Sequence, residues 1–416
     1  MMKKMALSIL FLCFLHFSFL LANTITAKSV SFTDVKAAID SVKSGDIVVV
    51  PSGTAAWSSQ LLITKEIVLR GKGIDKTIII NAFPTAYSGM IGISITSNTD
   101  KTTRITGFTF KSDKVNTKQY HITVEGETEY QIDHCKFVNG MGYLSHDIAI
   151  GGYATSGVID SCLFDTAATE AILVTASNQT WAEDPTLGSK HATFVEDCIF
   201  KNSPGGHAIV SVFGAKTVFR YNKIYETDID VHDHCFDPGW HGARHYEIYE
   251  NDLYSLGSTW RFGMNIRSGT GVIFNNRLHK TGITGGFFAE IALTEYRVTT
   301  NCPNDGCGQG NEGYPLYDQI GRGKNQTSEP LYIWNNLMDE NNDGIMDRNA
   351  VILVYDANTN VCGPLSTTDF IKDVPHDGQT NPDYYDDGRK PLNYTPYPYP
   401  HPLRDKPAPE NLRIGN

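Results

Sequence analysis

Four of the chain's 13 histidines, His232, His234, His241 and His245, crowd into one short stretch with Asp230, Asp233, Asp237, Arg244 and Glu247. Imidazoles titrate near neutral pH and can carry protons to or from a substrate. Arginine forks grip carboxylates through two parallel hydrogen bonds. For a polymer of uronates this set suits β-elimination: a cation neutralises the carboxylate, a base removes the acidified α proton, and an acid protonates the leaving oxygen. Arg244 and Arg267 fit the first role, and His234 or His232 the second. Hydrolysis instead needs two carboxyls roughly 5 to 9.5 Å apart across the bond, and Asp237 with Glu290 is the pair to name. Trp240, His241, Arg261 and Asn265 are the substrate-binding candidates. Two other readings stand beside these: a structural network of outward His and Arg paired with neighbouring acids, and a metal site from His232, His234 and His241, for which no spacing here is diagnostic.

A second motif is Asp339-Glu-Asn341-Asn-Asp343-Gly344-Ile-Met-Asp347. It has oxygens at positions 1, 3, 5 and 9 of a calcium loop and Gly at 6, but Ala350 stands where an EF-hand has its bidentate Glu. A full EF-hand is excluded. A looser calcium site built from Asp339, Asn341, Asp343 and Asp347 competes with a polar hairpin made of good turn formers. Calcium is the one cofactor suggested.

The elements that must carry these residues are written in a repeat. Val218-Phe-Arg-Tyr-Asn222-Lys-Ile, Glu247-Ile-Tyr-Glu-Asn251-Asp-Leu, Val272-Ile-Phe-Asn-Asn276-Arg-Leu and Leu331-Tyr-Ile-Trp-Asn-Asn336-Leu share one frame. Upstream, Cys135, Cys162 and Cys198 stand in the same place, and the steps between successive marks are 27, 36, 24, 29, 25 and 60 residues. Steps in the twenties, lengthened where loops intrude, are those of a β-solenoid. The apolar residues alternate and are rich in Val, Ile, Phe and Tyr, which argues strand over helix. At one bend, Asn side chains bond backbone groups, tolerate unusual dihedrals and bond one another from coil to coil. The three Cys continue that ladder as buried, inert thiols.

Strands leading to these bends are expected at His121-Ile-Thr-Val-Glu125, Asp147-Ile-Ala-Ile, Ala171-Ile-Leu-Val-Thr175, Ala208-Ile-Val-Ser-Val, His232-Asp-His-Cys-Phe-Asp237, Met264-Asn-Ile-Arg267 and residues 287–293. With Ile266 inward, Asn265 and Arg267 face outward. His234, Asp237, Arg267 and Glu290 would then share one groove, with Arg244 at its edge.

Residues 1–22, with Lys3, Lys4 and an apolar run, read as a secretory signal. Removing them takes the net charge from −11 to −13. So acidic a chain repels nucleic acid and anionic membrane as a whole. Val35, Ala38, Ile39 and Val42 mark a short amphipathic helix opened by Ser31 or Thr33, a cap over the first apolar layer with Trp57 beneath it. Cys302 and Cys307 lie in a loop and could pair with each other or with Cys362, while Asn178 and Asn325 head glycosylation sequons. The Pro- and Tyr-rich tail has too little alternation for a core and reads as a strap.

Several stretches carry a family resemblance: Gly45-Asp-Ile-Val-Val-Val-Pro-Ser-Gly-Thr54, the run Leu61-Leu-Ile-Thr-Lys-Glu-Ile-Val-Leu-Arg-Gly-Lys-Gly73, Arg267-Ser-Gly-Thr-Gly-Val-Ile-Phe-Asn-Asn276, Asp318-Gln-Ile-Gly-Arg-Gly-Lys324 and Tyr394-Thr-Pro-Tyr-Pro-Tyr-Pro-His-Pro-Leu403. Over about residues 30 to 403 the chain resembles the pectin-lyase-like superfamily of secreted parallel β-helix proteins. The resemblance implies that an enzymatic site would lie on the outside of the strand stack preceding the bends. It is specific for fold and not for activity, since the superfamily holds lyases, hydrolases, esterases and non-enzymatic surface proteins. The expectation is an all-β, right-handed parallel β-helix over residues 29–350, capped by the helix and followed by a strap at 351–416. Its expected role is a secreted, extracellular or periplasmic monomer acting on an acidic polysaccharide, most simply a lyase. A hydrolase or a non-catalytic surface protein of the same fold are the alternatives.

Overall fold

In a computed structural model, the chain is described at residues 22–83, 89–96, 102–112, 120–126, 129–138, 145–153, 155–165, 170–201, 206–233, 241–255, 262–281, 286–295, 319–356 and 381–405. The candidates His234, Asp237, Trp240 and Arg261 lie outside these residues, as do the signal segment to residue 21, Cys302, Cys307 and Cys362.

Each coil contributes one short strand to each of three parallel sheets. Sheet A has 12 strands, sheet B 11 and sheet C 10. One coil shows the plan: Lys216–Arg220 in sheet A, Lys223–Tyr225 in sheet B, Asp228–Val231 in sheet C, then His245–Tyr249 back in sheet A beside the strand it left. The result is a right-handed parallel β-helix. The last rung of sheet C, Ile352–Asp356, lies past residue 350, and Tyr384–Tyr385 adds a final rung to sheet A.

The bend between sheets A and B explains the repeated frame. The residue before each ladder position takes a left-handed backbone: His134, Ser161, Asp197, Tyr221, Glu250, Asn275 and Asn335, all with φ between 50° and 57°. The unusual dihedral thus belongs to the preceding residue, not to the ladder Asn or Cys. This frees the ladder side chain to turn inward. The Asn222 amide donates to Asn251 at 3.0 Å, Asn251 to Asn276 at 3.0 Å and Asn276 to Asn336 at 2.8 Å. Each also donates to a carbonyl of the preceding coil, for instance Asn251 to Phe219 at 2.8 Å. Cys135, Cys162 and Cys198 continue the row as free, buried thiols. Two residues past each Cys stands an inward Phe, and Phe137, Phe164 and Phe200 stack at 4.9 and 4.6 Å. Buried rings in such contact add to the area they remove from water.

The helix Phe32–Ser41 closes the N-terminal end. Ser31 caps it by accepting from the Asp34 amide, and Val35, Ala38 and Ile39 are buried. Trp57 is fully buried beneath it, edge-on to Phe32 at 5.8 Å, with its indole N–H on the Val30 carbonyl. No described helix is long and apolar enough to cross a membrane.

Candidate active site

The outer face of sheet C carries a row of ionisable side chains, and a local irregularity of its strands puts them there. In Tyr120–Gly126, His146–Ile150, Glu170–Val174 and His207–Ser211 the second and third residues are both buried: His121 and Ile122, Asp147 and Ile148, Ala171 and Ile172, Ala208 and Ile209. Two consecutive inward residues turn the first residue of each strand outward, as a bulge does. Register stacks those first residues in one row: Tyr120, His146, Glu170, His207 and then Asp228. The register shifts between His207 and Ile209, where the extra residue is absorbed. Beside this row lie Asp230 and Asn265, in register with each other. Beyond them His232 and Arg267 follow the ends of their strands.

Within the row the Tyr120 and His146 rings stack at 5.3 Å, His146 Nδ1 lies 3.2 Å from Glu170 Oε2, and His207 Nδ1 meets Asp228 Oδ1. Arg267 forks onto Asp230, with Nε at 3.1 Å from Oδ1, and lies 3.4 Å from Asp233. Asn265 donates to the same Asp230 oxygen at 3.1 Å. His232 Nδ1 is 2.7 Å from the Asp233 carbonyl oxygen and 3.1 Å from its carboxylate.

These environments drive the groups apart. Burial, with Asp230 adding, pushes the Glu170 carboxyl up against the pull of His207. Burial would also raise Asp230, but Arg267, then His207 and His232, hold it down to about 2. Burial would lower His207, yet Asp228 and Asp230 raise it to about 9, while burial alone drops His146 to about 4. At neutral pH the face therefore holds a cationic His207, a neutral His146 and an ionised Asp230, beside a Glu170 carboxyl that burial holds above its ordinary range. Paired titratable groups pushed in opposite directions are what acid–base chemistry requires.

The sequence candidates are distributed differently from the expectation. Arg267, Asn265 and His232 belong to this face, but Arg267 is buried and committed to Asp230. Arg244 is not at its edge. It is fully buried, forked onto Glu329 at 2.8 and 3.1 Å, bonded to the Glu183 carbonyl and set over the Trp181 ring. His241 stacks on the same Trp181 at 4.9 Å, so both belong to a knot around that indole. Glu290 faces outward further along sheet C, where Arg348 clamps it at 2.6 and 2.9 Å and the Val351 amide donates to it. The described sheet C strand of this coil is Asp228–Val231, ending before His232, and residues 234–237 of the strand expected at 232–237 lie outside the described residues.

Missed in the sequence were Tyr120, His146, Glu170, His207 and Asp228. The strands marked there began at His121, Asp147, Ala171 and Ala208, one residue late each time. A strict two-residue alternation cannot register a pair of inward residues, and the discarded first residue was the outward one.

In the loop 339–347, Asp339 oxygens accept from the Asp343 and Gly344 amides, Asn341 from Asp343, Asp343 from Ile345 and Asp347 from Glu340. His279 reaches Asp339 at 3.1 Å. The loop closes the antiparallel hairpin Leu337–Asp339 with Arg348–Asn349. Among the described residues no group of three or more His, Cys, Asp or Glu converges as metal ligands.

No family model matches the chain, and no curated protein matches it by sequence. Among solved structures it is similar to an alginate lyase from Paenibacillus sp. str. FPU-7, at 13% identity and TM-score 0.42 over 80% of this chain and 91% of that one. It is also similar to the family 28 exopolygalacturonase of Yersinia enterocolitica, at 13% identity and TM-score 0.40 over 83% and 79%. A third is a pectin methylesterase in complex with a hexasaccharide, at 11% identity and TM-score 0.33 over 83% and 99%. By its own strand register, the chain is a right-handed parallel β-helix.

Proposed function

We propose that this chain is a secreted protein that breaks glycosidic bonds in an extracellular acidic polysaccharide on the outer face of sheet C. The observation that carries the reading is the row Glu170, His207, Asp228, flanked by the Asp230–Arg267 pair. Rungs of a sheet lie about 4.8 Å apart, so the Glu170 and Asp228 backbones are about 9.6 Å apart with His207 between them. That spacing suits a protonated acid on one side of the bond and, on the other, a carboxylate that activates water. Glu170 is the acid, donating to the leaving oxygen. Asp228, positioned by His207, is the base. Asp230 is fully buried and held by Arg267 and Asn265, so it sets the field of the site without touching substrate.

Elimination is the second reading, and His207 favours it: its ring is 26% exposed and cationic at neutral pH. In this route His207 neutralises the uronate carboxylate and His232 takes the α proton. Arg267, expected in the neutralising role, is already spent on Asp230. In either route the protein works as a monomer, and calcium at the loop 339–347 would act on stability and not on the chemistry.

The test incubates the purified mature protein with polyuronates and neutral glycans, following unsaturated ends by ultraviolet absorbance alongside reducing ends. Reducing ends alone mean hydrolysis; both signals together mean elimination. Glu170→Gln is expected to lower turnover by about 10²- to 10⁴-fold, the usual weight of general acid catalysis, with the melting temperature nearly unchanged. Full activity in that variant removes Glu170 from the mechanism. A wild type inert on every polymer replaces this reading with a binding or surface role.

A further inference from the structure

A second polar feature lies where the chain passes from sheet C to sheet A: an open cleft of about 320 Å³. Its walls include Tyr153, Ser156, Glu183, His191 and Lys216. Lys216 is largely buried and its ammonium lies 2.6 Å from Glu183 Oε2, while the Tyr153 hydroxyl donates to Glu183 Oε1, also at 2.6 Å. Burial would raise Glu183, but Lys216 and Tyr153 hold it low, so this is an ionised and already neutralised pair. The Tyr153 side of the cleft is open, the residue being 49% exposed. The Ser156 hydroxyl bonds to nothing among the described residues.

The lining chooses among ligand classes. A phosphate or carboxylate would meet Glu183 beside a cation that is already matched. A flat apolar ligand would find only the small side chains of Val174, Ala176 and Ala192 beside Tyr153, and would bury the Lys216–Glu183 pair against a surface with no polar partner for it. An uncharged sugar ring fits both features: vicinal hydroxyls can donate to Glu183 and accept from Lys216, and a ring face can lie on the exposed tyrosine. The volume is at the small end of ligand sites and on the order of a disaccharide.

The cleft is also in line with the sheet C site. Successive rungs bond Val212 to Val174 and His232 to Ser211, which places Thr175 of the cleft two rungs from His232, about 9.6 Å along the solenoid axis. A glycan lying along that axis can occupy both.

We propose that this cleft binds an uncharged pyranose unit of the glycan, remote from the bond that is cleaved. The inference rests on the reading of the protein as polysaccharide-active, but not on which bond-breaking route operates.

Isothermal titration and kinetics on the full mature chain test it, with manno-, xylo- and cello-oligosaccharides and oligouronides as probes, each as trimer and octamer. Tyr153→Ala is expected to weaken octamer binding, or raise octamer KM, by about tenfold or more, leaving trimer kinetics and kcat unchanged. Tyr153→Phe, which keeps the ring and loses only the bond to Glu183, should retain most of the affinity and guards against a folding defect in the alanine variant. Octamer affinity unchanged in a folded Tyr153→Ala, or trimer and octamer weakened alike, overturns the proposal. Neutral octamers bound by wild type and lost in Tyr153→Ala, with Glu170→Gln as active as wild type, would uphold the cleft while removing the site assignment above. A wild type that binds none of the probes overturns both.

Discussion

The outer faces of sheets A and C are built from the same coils, and both carry rows of charged residues, yet they end differently. On sheet A, Arg104 pairs with Asp133 at 2.6 Å and Arg220 with Glu196 at 2.7 Å, all buried. The strap then closes over them: Arg220 donates to the Tyr397 and Pro398 carbonyls, and Arg404 meets Asp160, Glu196 and Asp197. Apolar cover completes the seal, with Phe194, Val218, Tyr249, Val272 and Phe274 buried against Tyr394, Tyr397 and Leu403. On sheet C, among the described residues, the charges are matched by neighbours one or two rungs away, and Glu170, His207 and His232 keep some exposure. Charge alone therefore does not mark a working site in this fold. Among the described residues, what distinguishes the two rows is that a distant segment, the strap, supplies partners to the sheet A row and excludes solvent from it.

The largest effect expected from this contrast is at Arg220. Arg220→Ala leaves Glu196 buried without its main partner and strips two bonds from the strap, so a loss of about 3–5 kcal/mol is expected in urea unfolding. Arg267→Ala breaks a similar pair at the rim of sheet C and should lose about 2–3 kcal/mol, in addition to any effect on turnover. Equal losses at the two sites would erase the distinction between a sealed and an accessible row.

A finer separation comes from pH. Asp160 is pushed up to about 6, first by burial and then by Asp133. The native state keeps its proton above the unfolded value of 3.8, so stability falls as pH rises from about 4 through 6. His207 is raised from 6.5 to about 9, so its contribution is full below 6.5 and lost as pH climbs through 9. Melting temperature followed against pH should show both windows. Asp160→Asn should flatten only the lower and His207→Gln only the upper; a single variant that flattens both would mean the faces are coupled.

The smallest effect concerns the loop 339–347, where Asp339, Asp343 and Asp347 already accept backbone amides and Glu340 accepts from Arg348. Calcium near its Kd should add less than about 1 kcal/mol, read as a rise in melting temperature that EDTA reverses. Dependence of the cleavage rate on calcium would instead place the ion in the chemistry.

Much of the fold was legible because its signals are local. The frame around Asn222, Asn251, Asn276 and Asn336 repeats since each coil solves the same bend in the same way. The cap helix announces itself through Ser31 and the spacing of Val35, Ala38 and Ile39. The candidate site was legible only in part. Arg244 and Arg267 are both arginines near histidines and acids, and nothing in their spacing says that one is wrapped by Glu329 from 85 residues away. Glu170 and His207 each look unremarkable in sequence, separated by a loop whose length hides their register.

By itself, then, the sequence determined the coil, its ladder of Asn and Cys, and the cap, because period, turn chemistry and helix capping act within a few residues. Tertiary structure alone decided which outward side chains meet across steps of 21 to 60 residues and which face the strap seals. Parallel strands bring together residues from different coils, and a one-residue bulge is enough to choose which of them face out.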